Sequence, residues 1–159
     1  MNGSIYFSAI KNKFGRELWR LDESDDSAAV ARVIHSRKGP RKMRAVRKSK
    51  NEFVFDRPNE FGKAKADQII NFKPNHGSQI HLDQNIFSGS GQRIDLVTVS
   101  SNHQLKKQQS QSSRFIYFEP KGQLYFDRNG DQPGYGQNAG LFAVLKGGPD
   151  LTESNFKIV

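Results

Sequence analysis

Short runs in which hydrophobic and polar residues alternate follow one another along the whole chain. Alternation with a period of two is typical of half-buried β-strands, and the Gly, Pro, Asn and Asp residues between the runs indicate turns. One alanine-rich run, 28–34, also fits a short helix. No run has the periodicity of a three-turn amphipathic helix. The pattern predicts an all-β, mostly antiparallel fold with strands at 4–9, 16–21, 28–34, 52–56, 67–72, 79–83, 93–99, 115–119, 123–127, 140–145 and 156–159.

Composition narrows the classes of protein that fit this pattern. A chain of 159 residues can bury one sizeable core, and its 12 phenylalanines favour strands. It has no cysteine, which excludes disulfides, thiolate zinc sites and cysteine nucleophiles. Its 4 histidines form no His-Glu-x-x-His motif, and no nucleophile elbow or phosphate-binding loop is present. We therefore expect a protein that is not an enzyme. The segment from His103 to Ser113 is polar and of low complexity, which predicts an exposed loop.

The positive charge of the chain is concentrated in one segment. Residues 37–50 carry 8 of the 25 Lys and Arg residues and no acid, so the rest of the chain is close to neutral. Such a run is commonly a solvated, self-repelling loop, and we assign 41–50 to a basic loop. It also fits a binding site for nucleic acid or an anionic polysaccharide, although no aromatic residue is interleaved to stack on bases. The residues of that site would be Arg37, Lys38, Arg41, Lys42, Arg44, Arg47 and Lys48.

A second candidate site lies in the sequence Asp-Arg-Asn-Gly-Asp. Asp127, Asn129 and Asp131 alternate along a predicted loop, and Gly130 permits a sharp turn there. Their oxygens could converge on calcium, which prefers six to eight hard oxygen ligands. The EF-hand pattern is not met, because glycine stands at its fourth place and no Glu stands at its twelfth. The same residues also form turns without metal, because their side chains bond the local backbone. Both interpretations stay open.

Residues 51–159 resemble the C-terminal domain of RTX proteins, the haemolysin-type calcium-binding family exported by type I secretion. The matching pieces occur in the family's order: a Phe-rich strand, an Asp-x-Ile-x-Asn-Phe unit, an Ile-x-Leu-Asp-x-x-x-Phe unit, a strand–turn–strand with an acidic loop, and two final strands. The resemblance implies a domain like the cap that closes a β-roll. It departs from the family in several respects. The glycine–aspartate nonapeptides are missing, and Asn71 replaces the family's aspartate, so repeat-type calcium binding is not implied.

The resemblance also implies a location and a partner. Members of the family carry an uncleaved C-terminal signal that a type I ABC transporter recognises, and the corresponding residues here are Phe156, Ile158 and Val159. The beginning of the chain lacks the long apolar core of a signal peptide, and no run is long enough to span a membrane. We therefore expect a non-catalytic extracellular or cell-surface module with calcium at the Asp127 loop. The alternative is a basic binding protein that uses the segment Arg37–Lys50.

A weaker resemblance covers Asn2 to Pro40. The sequence Gly-Arg-Glu-Leu-Trp at 15–19 is similar to the ELWxxDG repeats of large extracellular proteins. One copy of a repeat cannot bury its own hydrophobic face, so we expect this segment to pack on the rest of the chain. The predicted organisation is therefore a β-hairpin segment at 1–40, the basic loop at 41–50 and an RTX-like β domain at 51–159.

Overall fold

Twelve strands in two six-stranded sheets form most of the described structure. The computed structural model describes residues 4–11, 15–22, 31–37, 39–47, 49–56, 61–89 and 94–159, with the backbone alone for the first two ranges. Sheet A contains, in spatial order, β1 (Ser4–Lys11), β2 (Gly15–Asp22), β3 (Ala31–His35), β5 (Asn51–Phe55), β7 (Gln79–Leu82) and β12 (Phe156–Ile158). Sheet B contains, in the same way, β4 (Lys42–Arg44), β6 (Asp67–Ile70), β11 (Gly140–Leu145), β10 (Gln123–Phe126), β9 (Phe115–Phe118) and β8 (Leu96–Val99).

The chain crosses from one sheet to the other at successive strands. It alternates from β3 to β4, β5, β6 and β7, and later passes from β11 to β12. The neighbours β3, β5, β7 and β12 in sheet A and β4, β6 and β11 in sheet B therefore run parallel. Six of the ten described strand pairings are parallel. The β class is as predicted, but the prediction of a mostly antiparallel fold is wrong. Alternation of polar and apolar residues does not specify the direction of pairing, and most connections from β3 onward pass from one sheet to the other.

The parallel registers align buried residues of neighbouring strands. Each crossing from one sheet to the other and back is one coil of the chain. In sheet A, Ile34 pairs with Phe53, Phe53 with Ile80, and Ile80 with Phe156, and all four side chains are buried. Like positions therefore stack through the sheet and present a continuous apolar inner face. The C-terminal strand β12 adds the last member of this row. Burial of Phe156 against the core requires β12 to pair with β7.

Aromatic rings fill the space between the sheets. Phe55 of sheet A contacts Phe142 of sheet B with ring centroids 5.2 Å apart and nearly perpendicular planes. Phe87 lies 5.0 Å from Phe142 and 5.2 Å from Phe126, and all four side chains are almost completely buried. Edge-to-face and tilted arrangements of this kind are the favoured geometries for aromatic pairs. The phenylalanines that are abundant in the composition therefore fill much of the interior.

The antiparallel part of sheet B lies in its interior, and the edge strand β8 runs parallel to β9. β9 and β10 form a hairpin, and β10 pairs with β11 in the same antiparallel sense. The predicted turn of the strand–turn–strand unit joins β9 to β10, where Glu119–Lys121 form a 3-10 turn and Gly122 has a φ of +61°. A left-handed conformation at this point explains the glycine.

One part of the predicted polar loop is helical. Residues Asn102–Gln108 form a short α-helix, α1, and the Ser101 side chain accepts a hydrogen bond from the Gln104 amide at 3.2 Å. Leu105 is buried in a small cluster with Val99, Ile116 and Phe118 on the outer face of sheet B. The prediction of an exposed loop from His103 to Ser113 is therefore wrong for its first half. Within the described residues, no helix is long and apolar enough to cross a bilayer.

The predicted strands are found, and one further strand appears where a loop was expected. β4 lies inside the segment assigned to the basic loop. β2 pairs with β3 and β3 with β5, so residues before Pro40 share sheet A with strands of residues 51–159. This pairing agrees with the expectation that the N-terminal segment packs on the rest.

Candidate functional site

The basic segment contributes to the outer face of sheet B. Met43 in the middle of β4 is fully buried, and the strand alternation leaves Lys42 and Arg44 exposed on the opposite face. Side chains two residues apart on one strand face are about 7 Å apart. β4 is the edge strand of sheet B, so these two cations mark the border of that sheet.

A third cation joins them from a distant part of the sequence. Arg44 pairs in register with Ile70 of β6, and the amide of Lys146 donates to the carbonyl of Ile69 at 2.8 Å. Lys146 is exposed and directly follows β11, two strands away from Arg44. We call Lys42, Arg44 and Lys146 the basic face. In the described part of the chain, none of the three has an ion-pair partner.

Not every predicted anion-binding residue is available for a ligand. The Arg41 guanidinium donates to the carbonyl of His35, and its backbone amide donates to Asp67 Oδ1 at 2.7 Å. Arg41 therefore holds the connection between β3 and β4 rather than extending into solvent. Arg37 is exposed before β4. Lys38 and Lys48 lie outside the described residues.

Arg47 is exposed in the loop that follows β4. It lines a cavity together with residues of the loop after β6. The sequence could not indicate this neighbourhood, because the parallel pairing of β4 with β6 brings the two loops together.

The predicted calcium loop is built around a buried aspartate. Asp127 is fully buried, and its Oδ1 accepts hydrogen bonds from the backbone amides of Asn129 at 3.1 Å and Gly130 at 2.9 Å. Hydrogen bonds from backbone amides to a preceding Asp side chain are typical of a turn. Asp131 is exposed, and its Oδ1 accepts from Gln132 at 3.3 Å. The structure thus places Asp127 and Asn129 in the inner part of the loop and Asp131 on its outer side.

Two oxygens of this loop lack partners. Asp127 Oδ2 and Asn129 Oδ1 are buried, with no hydrogen-bond partner among the described residues. Burial raises the pKa of Asp127, and the two backbone hydrogen bonds and the Arg114 guanidinium only partly oppose that increase. The orphan oxygens fit a cation ligand set in part, since calcium needs several more donors. No cluster of three His, Cys, Asp or Glu residues suited to a metal occurs in the described ranges.

Arg114 places a positive charge next to the same loop. Its guanidinium donates to the carbonyl of Arg128, and its central carbon lies 3.8 Å from the point where a β-carbon on Gly130 would stand. A fixed cation stabilises the Asp127 carboxylate and repels a second cation. The spacing of residues in the loop could not indicate Arg114, because it precedes the loop by 13 positions.

The predicted secretion-signal residues form the last strand. Phe156 is buried in the core, and Ile158, which pairs with Leu82, is half-buried. Val159 is 46% exposed, yet its amide donates to the carbonyl of Leu82 at 3.0 Å. In the folded protein these residues complete sheet A.

The histidines are dispersed across the described structure. His35 Nδ1 lies 2.7 Å from the carboxylate of Asp56, and both side chains are partly exposed. His81 lies on the face of its strand opposite Ile80 and Leu82, where it is buried, and its Nδ1 is 3.8 Å from Glu52 Oε2.

No family model, curated protein or solved structure matches this chain. Functional inference therefore depends on the residues described above and on the sequence resemblance of residues 51–159.

Proposed function

We propose that the protein is a non-catalytic, secreted or cell-surface β module of the RTX type. The observation that carries this proposal is the coil of parallel strands that alternates between two sheets and is closed by the C-terminal strand. A cap for a β-roll must offer strands that continue parallel stacking, and β3, β5, β7 and β12 are stacked in this way. Most of the interior is packed with aromatic rings, which suits a module that binds through its surface.

The export part of the proposal concerns the unfolded chain. A type I transporter would recognise Phe156, Ile158 and Val159 before folding, when they are accessible. After export the same residues would pair with β7 and bury Phe156. One short segment can serve both purposes because the two states follow each other in time.

Export is tested by comparing two destabilised variants in a type I-competent host. Deletion of residues 155–159 removes the signal and the last strand, whereas Phe142→Ala damages the core and keeps the terminus intact. We expect the deletion to abolish appearance in the medium and Phe142→Ala to leave export in place. Equal amounts of both variants in the medium would contradict the export proposal.

The calcium part of the proposal rests on the orphan oxygens of Asp127 and Asn129. With an affinity typical of extracellular modules, near 1 mM, 10 mM calcium would stabilise the fold by about 1.4 kcal/mol. Asp127→Asn keeps the Oδ1 acceptor of the turn but removes the negative charge, so it should abolish this gain. The measurement is the melting temperature with and without calcium, with exposed Asp150→Asn as the charge-matched control. An unchanged melting temperature of the wild-type protein in 10 mM calcium would contradict the calcium proposal.

The basic face supports a second candidate function, the binding of an anionic polymer. Lys42, Arg44 and Lys146 lie within about two strand spacings, roughly 10 Å, on one sheet face. Unpaired cations at this density attract a polyanion by releasing its counterions. In this proposal the polymer is held through its charges alone.

Salt dependence and substitution test this second function together. Heparin and duplex DNA should both bind more weakly as salt rises, and the triple variant Lys42→Gln/Arg44→Gln/Lys146→Gln should lose most of the affinity. Binding by the triple variant at wild-type strength would exclude the basic face. Lys106→Gln/Lys107→Gln on the exposed side of α1 is a control for loss of positive charge elsewhere.

A further inference from the structure

A cavity of about 470 Å³ lies between two successive connections from sheet B to sheet A. One wall is the loop from β4 to β5, with Val46, Arg47 and Ser49, and the other is the connection from β6 to β7, with Asn71, Lys73 and His76. The volume is within the range of small-molecule sites. Each wall comes from a different coil, so the cavity exists only because β4 and β6 are parallel neighbours.

Both walls are held by hydrogen bonds of their own. Asn51 is 2% exposed, and its side chain accepts from the Val46 amide at 2.8 Å and donates to the carbonyls of Val46 and Ser49. In the other wall, the Lys73 amide donates to Ser78 Oγ at 3.2 Å and the Lys73 carbonyl accepts from His76. The cavity is therefore built on closed turns, so that little ordering is needed when a ligand binds.

The charge around the cavity is positive and uncompensated. Arg47 and Lys73 are exposed, and in the described ranges neither has an ion-pair partner. None of the described lining residues carries a carboxylate. Ser49, Asn71 and His76 add neutral polar groups, while Val46 and Ala45 supply a small apolar surface.

This combination has a specific ligand chemistry. A guanidinium matches the planar pair of oxygens on a phosphate or sulfate, and a lysine adds a point charge that accepts many orientations. Amide and hydroxyl groups can bond the sugar hydroxyls that accompany such an ester. We propose that the cavity binds one sulfate or phosphate ester of a sugar, with Arg47 and Lys73 on the oxyanion. The proposal is independent of export, of calcium and of the basic face.

The test is a titration of the ¹⁵N-labelled protein followed by amide chemical shifts, at constant ionic strength. Glucose 6-sulfate and glucose 6-phosphate are the two ligand arms, and glucose and sodium acetate are the comparison arms. We expect saturable shifts at Val46, Asn71 and Lys73 with the esters and none with glucose. The stronger of the two esters identifies whether sulfate or phosphate is the ligand. Absence of saturable shifts with both esters at 20 mM would overturn the proposal.

Substitutions separate the cavity from general electrostatic attraction. Arg47→Gln should weaken binding of the ester at least about tenfold, since a hydrogen bond to a charged group contributes roughly that factor or more. Lys42→Gln removes the same charge from the basic face and should change the affinity less than about twofold. An equal loss in both variants would overturn the cavity as the site. Both side chains are exposed, and unchanged circular dichroism would confirm that the variants fold.

Discussion

Stability should depend on pH through one buried carboxyl group, Asp67. This residue begins β6, is 4% exposed, and accepts a hydrogen bond from the Arg41 amide at 2.7 Å. Burial raises the pKa of Asp67 to about 6, although the hydrogen bond and the charge of Arg41 act in the opposite direction. The folded state therefore holds the proton of Asp67 more tightly than the unfolded state does.

The sign and size of the effect follow from this difference. The stability contributed by protonated Asp67 is present below about pH 4 and is lost as the pH rises through about 6. A separation of about two pKa units corresponds to roughly 3 kcal/mol at neutral pH. Asp67→Asn keeps an oxygen to accept from Arg41 but cannot ionise. The variant should therefore match the wild type near pH 4 and exceed its stability by up to about 3 kcal/mol at pH 7.

Urea unfolding at a series of pH values from 4 to 8 measures this difference directly. Asp95→Asn, which removes the same charge from an exposed side chain, controls for net charge. A difference between Asp67→Asn and wild type that does not vary with pH would refute the reasoning. So would a variant that is less stable than wild type at pH 7.

Two further predictions concern packing. Phe156→Ala should destabilise the fold by about 3–5 kcal/mol in urea unfolding, because the ring is buried in the core. Lys157→Ala on the exposed face of the same strand should change the free energy of unfolding by no more than about 0.5 kcal/mol. Similar values for the two variants would contradict the inward direction of Phe156. Gly122→Ala should cost distinctly more than Gly134→Ala, since a β-carbon on Gly122 would lie 2.0 Å from the carbonyl oxygen of Leu145 while Gly134 has nothing within 4 Å. Both glycines have positive φ, so Gly134→Ala shows the backbone cost alone, about 1–2 kcal/mol.

The positions of the strands could be predicted because each one is a short apolar or alternating run bounded by turn residues. The direction of pairing could not, because a period-two pattern is the same in parallel and antiparallel sheets. β4 has only one apolar residue, Met43, between two cations, and this is too short to distinguish from a charged loop. Helix α1 was missed for a similar reason, since Leu105 is its single buried side chain.

The candidate sites could likewise be predicted only in part. The loop at Asp127 could be located from its Asp and Asn spacing, but the Arg114 charge beside it depends on the tertiary fold. The basic segment was identified by composition alone. Only the register between β4 and β6 shows that Arg41 is internal, that Lys42 is exposed and that Arg47 lines the cavity. The same register shows that Lys73 lines it too.

The pairing of β12 tests the central claim, that this strand continues the parallel stacking of β3, β5 and β7. Nuclear Overhauser contacts between backbone protons of β12 and β7 report this pairing directly. We predict contacts of Phe156 with Ile80 and of Ile158 with Leu82, together with slow exchange of the Val159 amide, which donates to the Leu82 carbonyl. Contacts of Phe156 with Leu82 and of Ile158 with Ile80 would indicate an antiparallel strand and would contradict the account.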